Sequence, residues 1–153
     1  MAWVMLAQTR DAILRARERD YARYGISNER RAVLTVIEAN GGSATPVLIA
    51  RALLRELHSV SELVKRMEKD GLVEKTSTTG RSRAEVRVTP AGREAFELSL
   101  HSQTDKRIFS ALSEAERRRL MALLGKVRTR ALEDLGIPEW HLYPIQETPA
   151  EGE

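Results

Sequence analysis

The sequence predicts a mainly α-helical protein that carries one small β-hairpin. Apolar residues recur at helical spacing along most of the 153-residue chain, and several of these stretches begin with a Ser or Thr suited to a helix N-cap. Between residues 72 and 89 the pattern changes to two short strand-like runs around a polar segment that contains glycine. A chain of this length is expected to form one domain with a real core.

The first element is a predicted long helix over residues 2–24. Its apolar side consists of Val4, Leu6, Ile13 and Leu14. Five arginines interleave with acidic residues on the rest of this helix. They fit a solvated face with i,i+4 ion pairs, and they also fit the lining of an anion site or a subunit contact. A second helix is predicted to begin after a Ser27 cap and to end at the Asn-Gly-Gly of residues 40–42.

Two short helices joined by a tight turn are predicted next. The first has Thr45 as its N-cap and Pro46 at its first helical position. The apolar residues expected to share one of its faces are Ile49, Ala50, Leu53 and Leu54. The second carries an apolar stripe at i, i+3, i+4, i+7 and ends at Asp70-Gly71, because Gly adopts the left-handed C′ conformation cheaply. That stripe consists of Val60, Leu63, Val64 and Met67.

A β-hairpin is predicted directly after these helices, with strands over residues 72–76 and 84–89. Residues 77–83 between the strands are polar, small and basic, as an exposed hairpin tip should be. Thr89 and Pro90 then repeat the cap and first-turn proline, so a new helix begins there. Two short helices followed by a hairpin make a winged helix-turn-helix. In this motif one helix enters the DNA major groove, and the hairpin, or wing, reaches the neighbouring backbone or minor groove.

The remaining chain is predicted to be helical as far as residue 135. Residues 90–112 form one predicted helix, although the sequence also allows a break at residues 102–105. A capping box of Ser113 and Glu116 then begins a last long helix, which the Gly-Ile-Pro of residues 136–138 ends. The first and last helices carry apolar stripes outside the winged helix, so a second copy of the chain is expected to cover them.

These elements predict three regions of the chain. Residues 26–96 form the winged helix-turn-helix, residues 1–25 and 97–137 form the dimerisation helices, and residues 138–153 form an acidic tail. Within the tail, Trp140 and Tyr143 are expected to anchor on the helical region.

Composition and charge favour a DNA-binding protein of the cell interior. Hydrophobic residues make up 42% and charged residues 31% of the chain, and the absence of cysteine excludes disulfides and thiolate metal sites. There is no apolar run long enough to span a bilayer and no recognisable secretion signal, so we expect a cytoplasmic protein without a membrane partner. Residues 43–93 carry a net charge of +4, whereas residues 133–153 carry −6. Positive charge therefore concentrates in the DNA-facing unit.

The order and spacing of these elements resemble the MarR family of bacterial and archaeal transcriptional regulators. The likeness covers residues 26–135 and depends on four runs, namely SVSELV at 59–64, MEKDGLV at 67–73, VRVTPAG at 86–92 and LSEAE at 112–116. The family commonly has an Asp closely followed by Arg at the wing tip. Here Gly80 stands at the Asp position, and Arg81 and Arg83 flank Ser82.

The resemblance implies a homodimer that binds short palindromic operators in double-stranded DNA, often as a repressor. It also implies that a small aromatic or anionic effector releases the DNA by binding at the junction of the dimerisation and DNA-binding regions. No cofactor is expected.

The candidate DNA-binding residues lie on the second short helix, at its neighbour's N-terminus and on the wing. Lys65 or Arg66 can donate to guanine, and Glu62 can accept from cytosine. Short hydroxyl side chains can approach phosphate, and wing arginines can hold phosphate or a narrow minor groove. The same side chains also fit a merely solvated face. The full set is Thr45, Ser59, Ser61, Glu62, Lys65, Arg66, Lys69, Thr79, Arg81 and Arg83.

The candidate effector-binding residues are Arg10, Tyr21 and Tyr24, which lie on or next to the first helix. An enzyme is not expected, because the three histidines are far apart and neither a Gly-rich phosphate loop nor an HExxH motif is present. Two alternatives stay open on the same fold. One is a metal-responsive regulator using His101 with Glu97 and Asp105, and the other is a winged-helix module that contacts only proteins.

Overall fold

The computed structural model describes residues 1–76 and 84–138. The helices described are α1 (Ala2–Tyr21), α2 (Asn28–Ala39), α3 (Pro46–Ala52), α4 (Leu57–Lys69), α5 (Pro90–Ser99), α6 (Thr104–Phe109) and α7 (Glu114–Leu135). The strands described are β1 (Ser43–Ala44), β2 (Val73–Thr76) and β3 (Glu85–Val88), and a 3-10 turn, Ala22–Tyr24, follows α1. The predicted mainly helical fold with a winged helix-turn-helix is confirmed.

Four predicted helix starts are confirmed by hydrogen bonds from backbone N–H groups to cap hydroxyls. Ser27 Oγ accepts from the N–H of Arg30 at 3.3 Å, and Thr45 Oγ1 accepts from that of Leu48 at 3.2 Å. Thr89 accepts from Gly92 at 3.0 Å, and Ser113 forms a full capping box with Glu116. Caps of this kind satisfy N–H groups that have no partner inside the helix, which explains why the sequence marked these boundaries so clearly.

The sheet has three antiparallel strands in the order β1-β3-β2. Val73 pairs with Val88 and Thr76 with Glu85 across the hairpin, while Ala44 pairs with Val86 on the opposite edge. The strand β1 was not predicted. It is two residues long and exists because β3 offers it an edge, so no local pattern marks it.

Helix α2 forms the centre of the core. Its buried residues are Val33, Leu34, Val36 and Ile37, each at most 1% exposed. Helices α1, α3 and α5 and the sheet all pack against this helix. The same core takes in the predicted stripe of α4, so α2 supports the two short helices and the hairpin together.

Two details differ from the predicted helices. Leu54 was expected on the apolar face of the helix that begins at Pro46, but it lies beyond the end of α3 with φ +51° and is 51% exposed. The chain has to turn sharply there to begin α4, so the prediction for Leu54 was wrong. The predicted helix over residues 90–112 is divided into α5 and α6, and the break lies at residues 100–103.

Asp20 holds that break against α1. Ser102 Oγ donates to Asp20 Oδ2 at 2.6 Å, and Thr104 Oγ1 donates to the same oxygen at 2.8 Å. These two hydrogen bonds hold the pKa of Asp20 below its ordinary value. Thr104 is fully buried, so the junction is a packed contact between the first helix and the α5–α6 region.

The long helix α7 is mostly exposed along its length. Only Leu132 among its described residues is buried, while Met121, Leu123, Leu124 and Val127 are exposed apolar side chains. Trp3, Met5 and Leu6 are likewise exposed on α1. None of the helices in the described ranges is both long enough and apolar enough to cross a membrane. The division into DNA-binding and dimerisation regions stays a prediction.

Candidate nucleic-acid interface and effector cavity

Helix α4 presents one buried and one exposed face. Val60, Leu63, Val64 and Met67 are at most 4% exposed, as their spacing predicted. The candidate DNA-binding residues on the opposite face are Ser59, Glu62, Lys65, Arg66 and Lys69, which are exposed, and Ser61, which is half-buried. The structure therefore brings all six of these predicted residues to the surface of one helix.

Glu62 and Lys65 are paired on this surface. Lys65 Nζ donates to Glu62 Oε1 at 2.6 Å, and this hydrogen bond and the charge of Lys65 hold the pKa of Glu62 below its ordinary value. Both side chains are exposed, so the pair can open cheaply when a base or a phosphate offers a better partner. The exposed face of α4 therefore carries paired charges that can exchange partners.

Side-chain contacts fix α4 on its neighbours at both ends. At the C-terminal end Arg30 of α2 forms a hydrogen-bonded ion pair with Asp70. Glu68 accepts from the backbone N–H of Lys75 in β2 at 3.2 Å. Just before α4, Arg55 Nη1 donates to Glu29 Oε1 at 2.8 Å. These contacts hold the exposed face of α4 in a defined orientation relative to α2 and the wing.

The remaining predicted DNA-binding residues are only partly described. Thr45 is half-buried at the start of α3, where its hydroxyl serves as the helix cap. Thr79, Arg81 and Arg83 lie outside the described residues, and so do Gly80 and Ser82. Arg87 was missed by the sequence analysis. It lies exposed on β3 between buried Val86 and Val88, and the strand alternation could have identified it.

A cavity of about 720 Å³ lies between α1, α2 and the α3–α4 turn. Of the predicted effector-binding residues, Arg10 lines it, whereas Tyr21 and Tyr24 do not. Four arginines from α1 and α2 give it a cationic character. They are Arg10, Arg15, Arg17 and Arg31. Leu53 and Arg55 bring the α3–α4 turn into the same wall, so this cavity directly touches the region that positions α4.

Tyr21 is 2% exposed and supports this cavity from the core side. Arg17 Nη2 donates to its hydroxyl at 2.9 Å, and the guanidinium groups of Arg17 and Arg31 lie 5.3 and 5.2 Å from its ring centroid. Arg31 also lies 5.7 Å from the ring of Phe96 and donates to Ser99 Oγ at 3.1 Å. Arg31 therefore contacts α1 and α5 while it lines the cavity. The sequence analysis missed it because its partners are 10 to 68 residues away.

Asn28 leaves one polar atom unsatisfied in the cavity wall. Its side-chain N–H donates to the carbonyl of Leu14 at 2.8 Å, and its backbone N–H donates to Glu18 at 2.9 Å. Its side-chain oxygen Oδ1 is buried and has no hydrogen-bond partner in the described part of the chain. Because protein atoms cover this oxygen, the cost of the missing hydrogen bond falls on the fold, and the atom is not open to a ligand in the cavity.

His101 lies in no cluster of metal ligands formed by the described residues. Within residues 1–76 and 84–138, no three His, Cys, Asp or Glu side chains come together in a way that could hold a metal ion. The metal-responsive alternative thus gains no support from the described residues.

Comparison with known proteins places the chain in a family. The model of the MarR family matches residues 24–84. The ligand-free organohalide-sensing RdhR-CbdbA1625 transcriptional regulator is similar over 96% of this chain and 89% of that chain, with 29% identity and a TM-score of 0.86. Its form bound to 2,4-dichlorophenol is 30% identical over 86% of this chain and 79% of that one, with a TM-score of 0.80.

More distant structures share the fold. A mutant of MarR from E. coli complexed with operator DNA is 20% identical over 80% of this chain and 90% of that chain, with a TM-score of 0.75. The MepR–DNA complex of S. aureus is 23% identical over 83% of this chain and 94% of that chain, with a TM-score of 0.73. No curated protein matches the sequence.

The chain belongs to the MarR family. It is therefore a DNA-binding transcriptional regulator of the winged-helix type and not an enzyme.

Proposed function

We propose that the protein is a homodimeric repressor that binds a palindromic operator and leaves it when a small aromatic or anionic effector binds. The observation that carries the proposal is the exposed face of α4, where six polar and charged side chains lie opposite a fully buried stripe. A helix held in this way can enter a major groove while its stripe of Val60, Leu63, Val64 and Met67 stays buried.

On this proposal each exposed residue of α4 has a chemical role. Arg66 and Lys65 donate to guanine O6 and N7, and Glu62 accepts from cytosine N4. Ser59 and Ser61 are short enough to hydrogen-bond phosphate, and Lys69 adds positive charge at the end of the helix. On the wing, Thr79, Arg81 and Arg83 are proposed to contact phosphate or the minor groove. A regulator of this type works beside the DNA, so a cytoplasmic location is part of the proposal.

The dimer is proposed from the apolar side chains on α1 and α7. Trp3 is 75%, Leu123 51% and Val127 59% exposed, and the two helices extend this apolar surface well beyond the winged helix. A symmetric pair would bury these residues and place two copies of α4 on one side of the dimer. Two such helices fit two half-sites about one helical turn apart.

The effector site is proposed to be the cavity between α1 and α2. Its arginines favour an anion such as a phenolate. The similar organohalide-sensing regulator is known with 2,4-dichlorophenol bound, which matches this chemistry. A ligand in this cavity would touch Arg55, and the Glu29–Arg55 ion pair would transmit the change to the start of α4.

The test of DNA binding is the selection of bound duplexes from a random pool. The expected result is one palindromic sequence with half-sites about 10 base pairs apart and binding that weakens with salt by a slope of about −0.9 per phosphate contacted. Recovery of no sequence above background at low salt would contradict the DNA-binding proposal.

The test of effector release uses 2,4-dichlorophenol as the probe. Titration calorimetry should show binding to the free protein, and the same compound should release the selected duplex. The matched control is 2,4-dichloroanisole, which lacks the hydroxyl group and should bind far more weakly. Equal binding of both compounds would rule out the proposed role of the arginines.

A further inference from the structure

A second groove lies beside α4 and adjoins the cavity described above, with Arg55 lining both. Its volume is about 590 Å³. One wall is the α3–α4 region, with Val47, Leu54 and Leu57, and the other is the end of α7, with Leu135 and Ile137. Pro138, the last described residue, also lines it. The groove therefore lies between the turn that begins α4 and the point where the described chain stops.

The walls of this groove expose apolar side chains that take no part in the DNA contacts proposed above. Leu54 is 51% and Leu57 46% exposed, and Leu135 is also exposed. Leu54 further holds a left-handed backbone, with φ +51°, which is uncommon for a bulky residue. Neighbouring exposed leucines of this kind indicate a surface that another apolar segment covers.

The chain itself supplies a matching segment at this spot. Residues 139–145, here named the tail segment, follow Pro138 directly and contain four apolar residues, namely Trp140, Leu142, Tyr143 and Ile145. Seven extended residues reach about 24 Å, enough to run along the groove. The charged residues that line the groove are Arg51, Arg55 and Glu56, which leave it net positive, and the tail segment begins with Glu139. Connection, apolar content and charge therefore all favour this occupant.

We propose that the tail segment docks into the groove of its own chain and thereby lowers the affinity of the protein for DNA. Docking would hold the acidic residues of the tail beside the start of α4, where they repel phosphate. It would also restrain the α3–α4 turn. The effect on DNA rests on the proposed function, whereas docking itself does not, so the two halves are tested separately.

Docking is tested by the fluorescence of Trp140. In a Trp3→Phe background Trp140 is the sole tryptophan. Its emission should be blue-shifted relative to a peptide of residues 139–153 and should return to the emission of the peptide after Leu54→Asn. Asn accepts the left-handed backbone at position 54, so this change removes the apolar wall with little strain. Leu48→Asn, at an exposed α3 residue outside the groove, is the matched control and should leave the blue shift unchanged.

Three results would overturn docking in the same chain. They are a peptide-like emission in the Trp3→Phe protein, a blue shift that survives Leu54→Asn, and a blue shift that disappears on dilution together with a dimer. The last result would assign the segment to the groove of the partner copy.

The effect on DNA is tested by a double-mutant cycle on a pool of random duplexes at low salt. Ending the chain after Pro138 and Leu54→Asn should each tighten binding by about three- to tenfold, and the combination should add nothing further. Docking would be contradicted if the effects of truncation and Leu54→Asn on DNA affinity add up in the combined variant, or if truncation alone tightens binding. Either result would show that the tail acts through its charge without docking. If no variant binds DNA, the proposed function fails, while the fluorescence result still decides docking.

Discussion

Two of the exposed residues of α4, Glu62 and Lys65, are paired with each other before any DNA is present. Lys65 is bonded to Glu62 at 2.6 Å, so reading a base with either residue means exchanging one charged partner for another. Because both side chains are exposed, this exchange costs little free energy. A base that offers the wrong donor or acceptor would not replace the ion pair and would therefore be rejected. Arg66 is exposed on the same face and is the strongest candidate for a bidentate contact with guanine.

The roles proposed for α4 and the wing predict different effects of removing one arginine from each. Arg66→Ala should cost about 1–3 kcal/mol of operator binding and relax the sequence preference at one position. Arg81→Ala should weaken binding to all sequences alike and reduce the salt slope by about one. Both are measured by titrating a selected and a scrambled duplex across a salt series. Arg118→Ala removes the same charge from a different element, because Arg118 lies exposed on α7. An equal loss in that control would show that net charge alone matters.

The Asp20 junction predicts a stability loss in acid. The pKa of Asp20 is lowered by its hydrogen bonds from Ser102 and Thr104, so these bonds contribute stability above its unfolded pKa near 3.8, and this contribution is lost as pH falls through the lower folded value. Asp20→Asn should therefore be less stable than the wild type at pH 7, and the difference should shrink below about pH 3.8. Urea unfolding across pH measures it. Asp11→Asn, at an exposed site on the same helix, is the control.

At the scale of elements, the close packing of α5 on the strand β2 and its preceding turn depends on one glycine. A Cβ on Gly92 would lie 1.9 Å from the backbone oxygen of Leu72 and 3.1 Å from a methyl group of Val88. The first contact is with backbone, so the helix would have to move. The same turn is held by Thr89, whose hydroxyl donates to the carbonyl of Gly71 at 2.6 Å. Helix α5 is thereby fixed to the end of α4, so the two sides of the hairpin move together.

This packing predicts different changes in the free energy of unfolding for two glycine substitutions. Gly92→Ala should destabilise the fold by about 3 kcal/mol or more, because the new Cβ displaces α5 from the hairpin. Gly125→Ala, in the middle of α7 where a Cβ meets no atom within 4 Å, should be neutral or raise stability by up to about 1 kcal/mol. Urea unfolding of both variants provides the comparison. Similar stabilities for the two would contradict the close approach at Leu72.

At the scale of the whole molecule, α1 and α7 expose an apolar surface that a lone chain would not tolerate well in water. The winged helix has its own core centred on α2, while α7 buries a single described residue, Leu132. Stability of the long helix is therefore expected to come from a second copy. The exposed apolar residues of α1 lie at its start, from Trp3 to Leu6, whereas the cavity is lined by residues from Arg10 to Glu18, so dimerisation and effector binding would use successive stretches of the same first helix.

Breaking the proposed dimer should abolish operator binding. Leu123→Asp combined with Val127→Asp should give a monomer, because two charges replace apolar residues that the dimer would bury. Light scattering measures the mass, and DNA titration should show a large loss of affinity for the palindrome. The control is Leu48→Asp, which changes an exposed leucine on α3 and should leave the mass measured by light scattering unchanged. A wild-type chain that is already monomeric at micromolar concentration would contradict the dimer.

Most of the helix boundaries and the faces of α4 followed from the sequence because their causes are local. A cap residue satisfies N–H groups three residues away, and a stripe such as Val60, Leu63, Val64 and Met67 repeats within two turns. Where two local signals agreed, as at Thr45 and Thr89, the structure begins a helix at the expected residue. The exposed set on α4 followed from the buried set by geometry alone.

The tertiary structure decided what depends on neighbours distant along the chain. The strand β1 forms only because β3 lies beside it, and Leu54 is exposed because the turn into α4 directs it outward. The cavity joins arginines of α1 and α2 to Arg55, and Arg31 reaches Ser99 across 68 residues of sequence. Neither apolar periodicity nor a helix cap in the sequence predicts such contacts, because they arise when separate elements pack on one core. The sequence by itself therefore determined the helices and the exposed face of α4, and folding alone determined the two cavities beside it.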